Sequence, residues 1–254
     1  MGKVLAITNQ KGGVGKTTTS VNLSASLAAT KRKALLIDLD PQGNATMGSG
    51  IDKKDLSVSI YDVLMGEKSI EEATLSLENA QYDLLPSNSD LTGAEVGLLN
   101  ITNREIQLRK EVEKIRDKYA YIIIDCPPSL NMLTVNALVA ADSVVIPTQC
   151  EYYALEGLSA LLETIDKIKN VLNPKLDVEG LLRTMFDSRN NLANEVSKQL
   201  TDYFGDKVYN TIIPRNVRLA EAPSHGQPII LYDKTSTGAI AYLALAGELM
   251  RKEV

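Results

Sequence analysis

Short runs of apolar, largely β-branched residues alternate with segments of helical periodicity along the whole 254-residue chain. Strands are predicted at 4–8, 34–38, 82–86, 121–125, 143–147, 179–185 and 208–213. Several, such as YIIID and SVVIP, read as continuous apolar runs rather than alternating ones, as strands covered on both faces of a parallel sheet do. Helices are predicted between them, for example at 17–29, 104–118 and 155–171. In the second of these, Leu108, Val112 and Ile115 fall at i, i+4 and i+7 and form one apolar stripe. This rhythm predicts an α/β fold, a doubly wound, mostly parallel sheet flanked by helices. No internal repeat, low-complexity stretch or Pro/Gly-rich linker interrupts it, so residues 1–254 are read as a single domain.

A chain of this length buries a large core without a disulfide or metal staple. Its two cysteines, Cys126 and Cys150, suggest neither a disulfide framework nor a zinc site, and a reducing cytoplasm is the expected compartment. No run approaches the length of a membrane helix, and no signal-peptide pattern precedes the first strand. The net charge of −5 argues against a generally basic nucleic-acid binder. The charge is uneven, however. Residues 1–60 hold eight Lys/Arg against four Asp/Glu, 61–180 hold ten against twenty, and 181–254 hold nine against eight. A local basic face therefore has room outside the acidic middle.

The segment KVLAITNQKGGVGKTTTSVNL reads as a strand, a glycine-rich turn and a helix, the context a phosphate-binding loop requires. Gly12, Gly13 and Gly15 let the backbone approach an anion at φ angles that a Cβ disfavours. The N–H groups from Gly13 through Val14, Gly15, Lys16, Thr17 and Thr18 then point into the loop beside the positive end of the helix. Lys16 supplies a charge for the β- and γ-phosphates, and the Thr17 hydroxyl suits Mg²⁺. ATP and Mg²⁺ are the expected ligands.

Three more carboxylates lie beyond strand ends, where a doubly wound sheet binds its ligands. Asp125 closes YIIIDCPPS and is expected to hold Mg²⁺ through a coordinated water. Asp38 and Asp40 end LLIDLDPQGNAT and, one residue apart, are expected to point in opposite directions and take separate roles. Cys126 reads as a small buried hydrophobe. Tyr152, Tyr153 and Leu155 read as packing residues, and His225 as a local hydrogen-bonding group in a turn.

The loop departs from the ordinary G-x-x-x-x-G-K-[ST] pattern, because Gln10 stands five residues before Gly15 and Lys11 stands beside it. In this KGGVGKTT form the chain resembles the deviant-Walker ATPases, which include the ParA/Soj partitioning ATPases, the division-site protein MinD and the nitrogenase iron protein. The segments DPQGNAT, IIIDCPPS, PTQCEYYALEGL, IIPRNVRLAEAPSHGQPI and PIILYD resemble ParA/Soj closely and together cover nearly the whole chain. The cysteines do not match the ligand-bearing loops of the iron protein.

The resemblance implies a set of roles. Lys11 crosses a dimer interface to the partner's nucleotide. Asp40 positions or activates the attacking water, and Asp38 stays nearer the Mg²⁺ shell, with Thr17 and Asp125. Pro214 and Asn216 flank the adenine, where an Asn amide both donates to and accepts from a purine edge. An ATP-dependent homodimer, nonspecific double-stranded DNA and a ParB/Spo0J-like centromere-binding protein are the implied partners, with a cytoplasmic, nucleoid-associated location. Arg189 and Arg218 are the expected DNA-binding residues, with Arg215 a third that also borders the nucleotide. Two other readings compete. A MinD-like membrane-cycling ATPase ends in a basic amphipathic helix, whereas TGAIAYLALAGELMRKEV has only Arg251 and Lys252, and its Ile240, Leu243 and Leu245 are expected to dock on the core. A metabolic enzyme on the same fold needs a substrate pocket beside the γ-phosphate. Only two residues precede the first strand, so no helix-turn-helix is expected there.

Overall fold

The structure is a computed structural model in which residues 2–252 are described. Eight strands form one sheet in the order β3-β4-β2-β5-β1-β6-β7-β8. They are β1 (Lys3–Ile7), β2 (Ala34–Asp38), β3 (Leu75–Leu77), β4 (Tyr82–Leu85), β5 (Tyr121–Asp125), β6 (Ser143–Gln149), β7 (Asp177–Phe186) and β8 (Val208–Pro214). All neighbours pair in parallel except β3 and β4. The seven predicted strands are all present, with ends shifted by one or two residues. The unpredicted β3 is a three-residue antiparallel edge strand, too short to carry a period of its own.

The continuous apolar strands are buried on both faces, as expected. Val4, Ala6, Leu35, Ile37, Ile122, Ile124, Val144 and Ile146 belong to one core cluster. The intervening Leu5, Ile7, Leu36, Ile123 and Val145 belong to the other. Against the first face pack α3 (Gln107–Ile115), α4 (Met132–Ala140), α5 (Ala154–Val171) and α6 (Asn191–Phe204). Against the second pack α1 (Lys16–Ala29) and α8 (Thr237–Arg251). Two short helices, α2 (Asn44–Gly48) and α7 (Val217–Glu221), lie beyond the carboxyl ends of β2 and β8.

Strand order brings the chemistry together. Central β1 lies between β5 and β6, and β5 lies between β1 and β2. Ile7 is in register with Asp125, and so is Asp38. The glycine-rich turn after β1 and two of the three carboxylates therefore leave the sheet at one level.

The last helix corrects part of the expectation for it. Leu245 is buried and Leu243 partly so, but Ile240 is 57% exposed. The buried face of α8 is instead Ala239, Tyr242, Leu245, Ala246 and Leu249, whose spacing of three and four is the core-facing stripe of a helix. Tyr242 adds a polar tie, its hydroxyl 3.2 Å from Thr19 Oγ1 on α1. Leu245→Ala leaves a cavity between α8 and the sheet, and a loss of about 2–5 kcal/mol in urea unfolding is expected; Ile240→Ala, at the solvent face, is expected to change stability by less than about 0.5 kcal/mol.

Candidate functional site

Helix α1 starts without a side-chain cap: Gly15 precedes it at φ +87° and ψ +28°, a left-handed conformation that glycine adopts without strain. The first N–H groups of the helix thus stay directed at the loop mouth, which is an anion site by geometry. Gly13 is also left-handed, at φ +74°. The loop is anchored from β7, where Thr184 Oγ1 donates to the Val14 carbonyl at 2.8 Å.

The two lysines of the loop are placed differently. Lys16 is 7% exposed, and its ammonium donates to the Lys11 carbonyl at 3.2 Å. Burial pulls its pKa below the ordinary lysine value, against the opposing pull of Asp125. A partly desolvated ammonium of this kind gains more from a polyphosphate than one in water. Lys11, with a side chain 45% exposed, ion-pairs instead with Glu151 in the loop after β6.

Asp125 is fully buried. Thr17 Oγ1 donates to its Oδ2 and Ser20 Oγ to its Oδ1, both at 2.8 Å. The sequence reading missed Ser20; its place three residues after Thr17, on the same helix face, is the signal that finds it. Burial, reinforced by the charge of Asp38, pushes the Asp125 carboxyl up to about 8. Because the Thr17 proton goes to Asp125, the lone pairs of its hydroxyl are left for a cation, so the pair fits a Mg²⁺ ion that keeps most of its water and phosphate ligands. Among the described residues no cluster of three His, Cys, Asp or Glu could hold a metal ion.

Asp38 and Asp40 do not point apart by strand alternation, since residues two apart in a strand share a face. What separates them is that β2 ends at Asp38. Asp38 is fully buried and holds the segment that follows: its Oδ2 accepts from the N–H and hydroxyl of Thr46 at 2.7 Å each, and its Oδ1 from the Asp40 N–H at 3.2 Å. Burial raises its carboxyl to about 6. Asp40 closes a turn, Oδ1 accepting from Gln42 N–H at 2.9 Å and its carbonyl from Gly43 N–H at 2.9 Å.

A cavity of about 170 Å³ adjoins the loop, bounded by Gly15, Thr18, Met185, Pro214, Asn216 and Tyr242. Pro214 and Asn216 thus line a cavity shared with Gly15 and Thr18 of the loop. The Asn216 amide is already engaged, however: its Oδ1 caps α7 through Leu219 N–H at 3.0 Å, and its Nδ2 donates to Thr237 Oγ1 at 2.8 Å. Neither end of the amide is therefore free toward the cavity in this state. Met185 holds φ +48°, a strained angle for a side chain of this size, at the same wall. A second cavity of about 600 Å³ lies along α1, between Thr17, Thr18, Asn44, Met47, Lys53 and Pro223.

The remaining candidates lie outside this cluster. Arg189 is 88% exposed at the side chain and pairs with Asp187 at 2.7 Å. Arg218 is 54% exposed and pairs with Glu221 at 2.9 Å and Asp233 at 3.7 Å. Arg215 borders the smaller cavity and donates its N–H to the Phe186 carbonyl at 3.1 Å. Solvent-exposed pairs of this kind are weak, so they leave these guanidiniums available to a stronger anion. Cys126 is buried, and burial pushes its thiol pKa up; that of Cys150 rises to about 11 for the same reason. Neither is a nucleophile in this state. His225 stacks on Tyr232 with ring centroids 4.9 Å apart. Leu155 is partly buried, but Tyr152 and Tyr153 are 75% and 68% exposed, so these two are not the packing residues expected.

Comparison with known proteins agrees with this geometry. A family model described as an AAA domain matches residues 2–178. The sporulation initiation inhibitor protein Soj of Bacillus subtilis is 55% identical over 249 residues, spanning 98% of each chain. The chromosome partitioning protein ParA of Myxococcus xanthus is 54% identical over 253 residues, spanning all of this chain and 89% of its own. A solved structure named cobyrinic acid a,c-diamide synthase from Mycobacterium smegmatis, with bound ATP analogue and magnesium, superposes with a TM-score of 0.88 at 38% identity, over all of this chain and 96% of that one.

The raised Asp125 carboxyl has a measurable consequence. Its folded-state pKa lies above the unfolded one, so the folded chain retains a proton that the unfolded chain has lost, and raising the pH from about 4 to 8 removes this stabilisation. With a chelator present, Asp125→Asn is expected to flatten that fall, whose slope is at most about 1.4 kcal/mol per pH unit for one proton. Thermal unfolding of both proteins between pH 5 and 8.5 measures it; parallel curves would contradict the assignment.

Proposed function

The chain belongs to the ParA/Soj family of partitioning ATPases, and from that premise we propose that it is an ATP-driven DNA-partitioning switch. ATP and Mg²⁺ bind at the P-loop, two copies pair around the nucleotides, the pair holds nonspecific double-stranded DNA, and hydrolysis stimulated by a ParB/Spo0J-like protein releases it. The observation that carries this reading is the separation of the two loop lysines. Lys16 is buried at its own phosphate site, whereas Lys11 is half exposed on the outer rim of the same loop. A lysine placed there is suited to a phosphate outside its own site.

Phosphoryl transfer depends on position and charge more than on covalent chemistry by the protein. In this reading the α1 N-terminus and Lys16 hold the β- and γ-phosphates. Thr17 and Asp125 would hold Mg²⁺, which would supply positive charge against the phosphates. Asp40, once released from its turn, orients the attacking water. Pro214 and Asn216 set the width of the adenine slot. The paired state brings two basic faces onto one duplex, and Arg189 and Arg218 supply phosphate contacts. Association with the nucleoid follows from that binding.

Two competing readings have less support. The apolar stripe of α8 is spent on the core rather than free to lie on a bilayer. An amide synthase, as the name of the Mycobacterium smegmatis structure suggests, calls for a substrate pocket beside the γ-phosphate and leaves the half-exposed Lys11 at the rim of the loop without a role.

Gel filtration with and without ATP, followed by DNA binding in each state, tests the whole scheme. Lys16→Ala is expected to lower ATP affinity at least about 100-fold, a cost of about 2.7 kcal/mol. Lys11→Ala is expected to bind ATP as a monomer and neither pair nor hydrolyse. Asp40→Ala is expected to bind ATP, form a long-lived pair and turn over at least about 100-fold more slowly. An Asp40→Ala protein with normal turnover, or a Lys11→Ala protein that pairs normally, contradicts the corresponding role.

The DNA face is tested separately. Phosphate contacts carry no sequence information, so Arg189→Ala and Arg218→Ala are each expected to weaken binding to all duplexes alike and to lower the salt slope by about one per subunit. Titrations at several salt concentrations with ATP present measure this. If both variants pair normally and keep wild-type affinity and slope, the DNA surface lies elsewhere, with Lys198, Lys207 and the Lys31–Arg32–Lys33 run the next places to look.

A further inference from the structure

The turn that carries Asp40 is gripped from two sides. From within, Ser87, in the segment that leaves β4, is fully buried, and its Oγ donates to the Asp40 carbonyl at 2.8 Å. The Ser87 N–H donates to Thr46 Oγ1 on α2 at 2.9 Å, and that hydroxyl donates in turn to Asp38 Oδ2 at 2.7 Å. One serine, 47 residues from Asp40 and 41 from Thr46, thus ties the turn to the helix that follows it. From outside, the Lys53 ammonium donates to the Gln42 carbonyl. Gly43, at φ +59°, lies between the two grips. A Cβ there would stand 2.8 Å from the Ser87 carbonyl oxygen and 2.9 Å from Lys53 Cδ.

We propose that Ser87 and Lys53 are positioning residues for Asp40, Ser87 as a fixed hinge and Lys53 as a clasp that nucleotide phosphate opens. The inference rests on the reading above in which Asp40 orients the attacking water. The two grips differ in kind. The Ser87 bond is sealed from water, where a hydrogen bond is electrostatically stronger and holds its geometry. The Lys53 bond is partly open to solvent and joins a cation to a neutral carbonyl. Lys53 also borders the cavity of about 600 Å³ that it shares with Thr17 and Thr18, so its ammonium has room to swing. A polyphosphate held at those threonines is a stronger acceptor for it than a neutral carbonyl. While the clasp is shut, Asp40 Oδ1 accepts from the Gln42 N–H at 2.9 Å, so that oxygen meets water only after the turn opens. Losing the hinge lets the backbone of Asp40 drift, whereas losing the clasp only removes a restraint on opening. The two residues therefore act on turnover in opposite directions.

The test is steady-state ATP hydrolysis with Mg²⁺, with ADP affinity and thermal unfolding measured beside it. The proteins are wild type, Ser87→Ala, Lys53→Met, Lys53→Arg and Asp40→Ala. Ser87→Ala is expected to lower kcat at least about tenfold, since small displacements of a catalytic group are costly, with KM and ADP affinity within about twofold of wild type. Lys53→Met keeps the aliphatic stem over Gly43 and loses the charge, and its kcat is expected to rise at least about threefold. Lys53→Arg restores the cation and is expected to return kcat to the wild-type value. Lys53→Met with unchanged or lowered kcat overturns the clasp, and this variant decides the matter if Ser87→Ala does not fold. A Ser87→Ala protein that melts earlier but turns over like wild type overturns the hinge. Either result, with Asp40→Ala inactive, leaves the role of Asp40 standing. An Asp40→Ala protein that hydrolyses normally overturns that role and this inference together.

Discussion

Everything at the phosphate mouth hangs on the carboxylate of Asp125, which joins the middle of the sheet to the start of α1. Both of its oxygens accept hydroxyls from that helix, Thr17 on one and Ser20 on the other. Since Gly15 gives α1 no side-chain cap, these hydrogen bonds and the Thr184 contact to the Val14 carbonyl are what hold the helix start in place. A conventional cap would occupy the N–H groups that an anion needs. Tying the helix down from the side leaves them free.

The arrangement leaves an electrostatic imbalance. Asp38, Asp40 and Asp125 are 8% exposed or less, and the ammonium buried among them is that of Lys16. Burial raises the carboxyls of Asp38 and Asp125 and lowers the pKa of Lys16, so the charged forms of these three groups are disfavoured by their surroundings. Buried charges are stable only when paired or neutralised. A divalent cation with a polyphosphate supplies the opposite charges on both sides of this imbalance. The free chain therefore holds a site less stable than an apolar core of the same shape, and ligand binding relieves the strain.

The segment carrying Asp40 is bonded into the structure at both ends. At its start, Asp38 grips Thr46, whose hydroxyl in turn accepts from the Ser87 N–H at 2.9 Å. At its end, Gly50 at φ +88° touches the turn after α7, where Gly226 sits at φ +60°. A Cβ on Gly50 would come within 2.8 Å of the Gly226 carbonyl, and one on Gly226 within 2.7 Å of the Gly50 Cα. The backbone that carries Asp40 thus abuts the turn after α7.

Much of this was legible in the sequence. Continuous apolar strands alternating with helical stripes dictated a parallel sheet buried on both faces, because a βαβ crossover covers each face with helices. The spacing of glycines and lysines in KGGVGKTT dictated a phosphate loop, because only that backbone path exposes consecutive N–H groups to an anion. Tertiary structure decided which distant residues complete the site. Ser20 meets Asp125 across 105 residues, and Glu151 meets Lys11 across 140; no local pattern encodes either meeting. Tertiary structure also decided which apolar side chains stay outside: Tyr152, Tyr153 and Ile240 sit in solvent although Cys150 and Ala154, and Ala239 and Ala241, close by in sequence, are buried. It turned the Asn216 amide inward to cap α7. Periodicity and turn chemistry are properties of a few consecutive residues and survive in the chain alone. Burial and partnership are properties of packing, and they come into being only when the sheet brings its strand ends together.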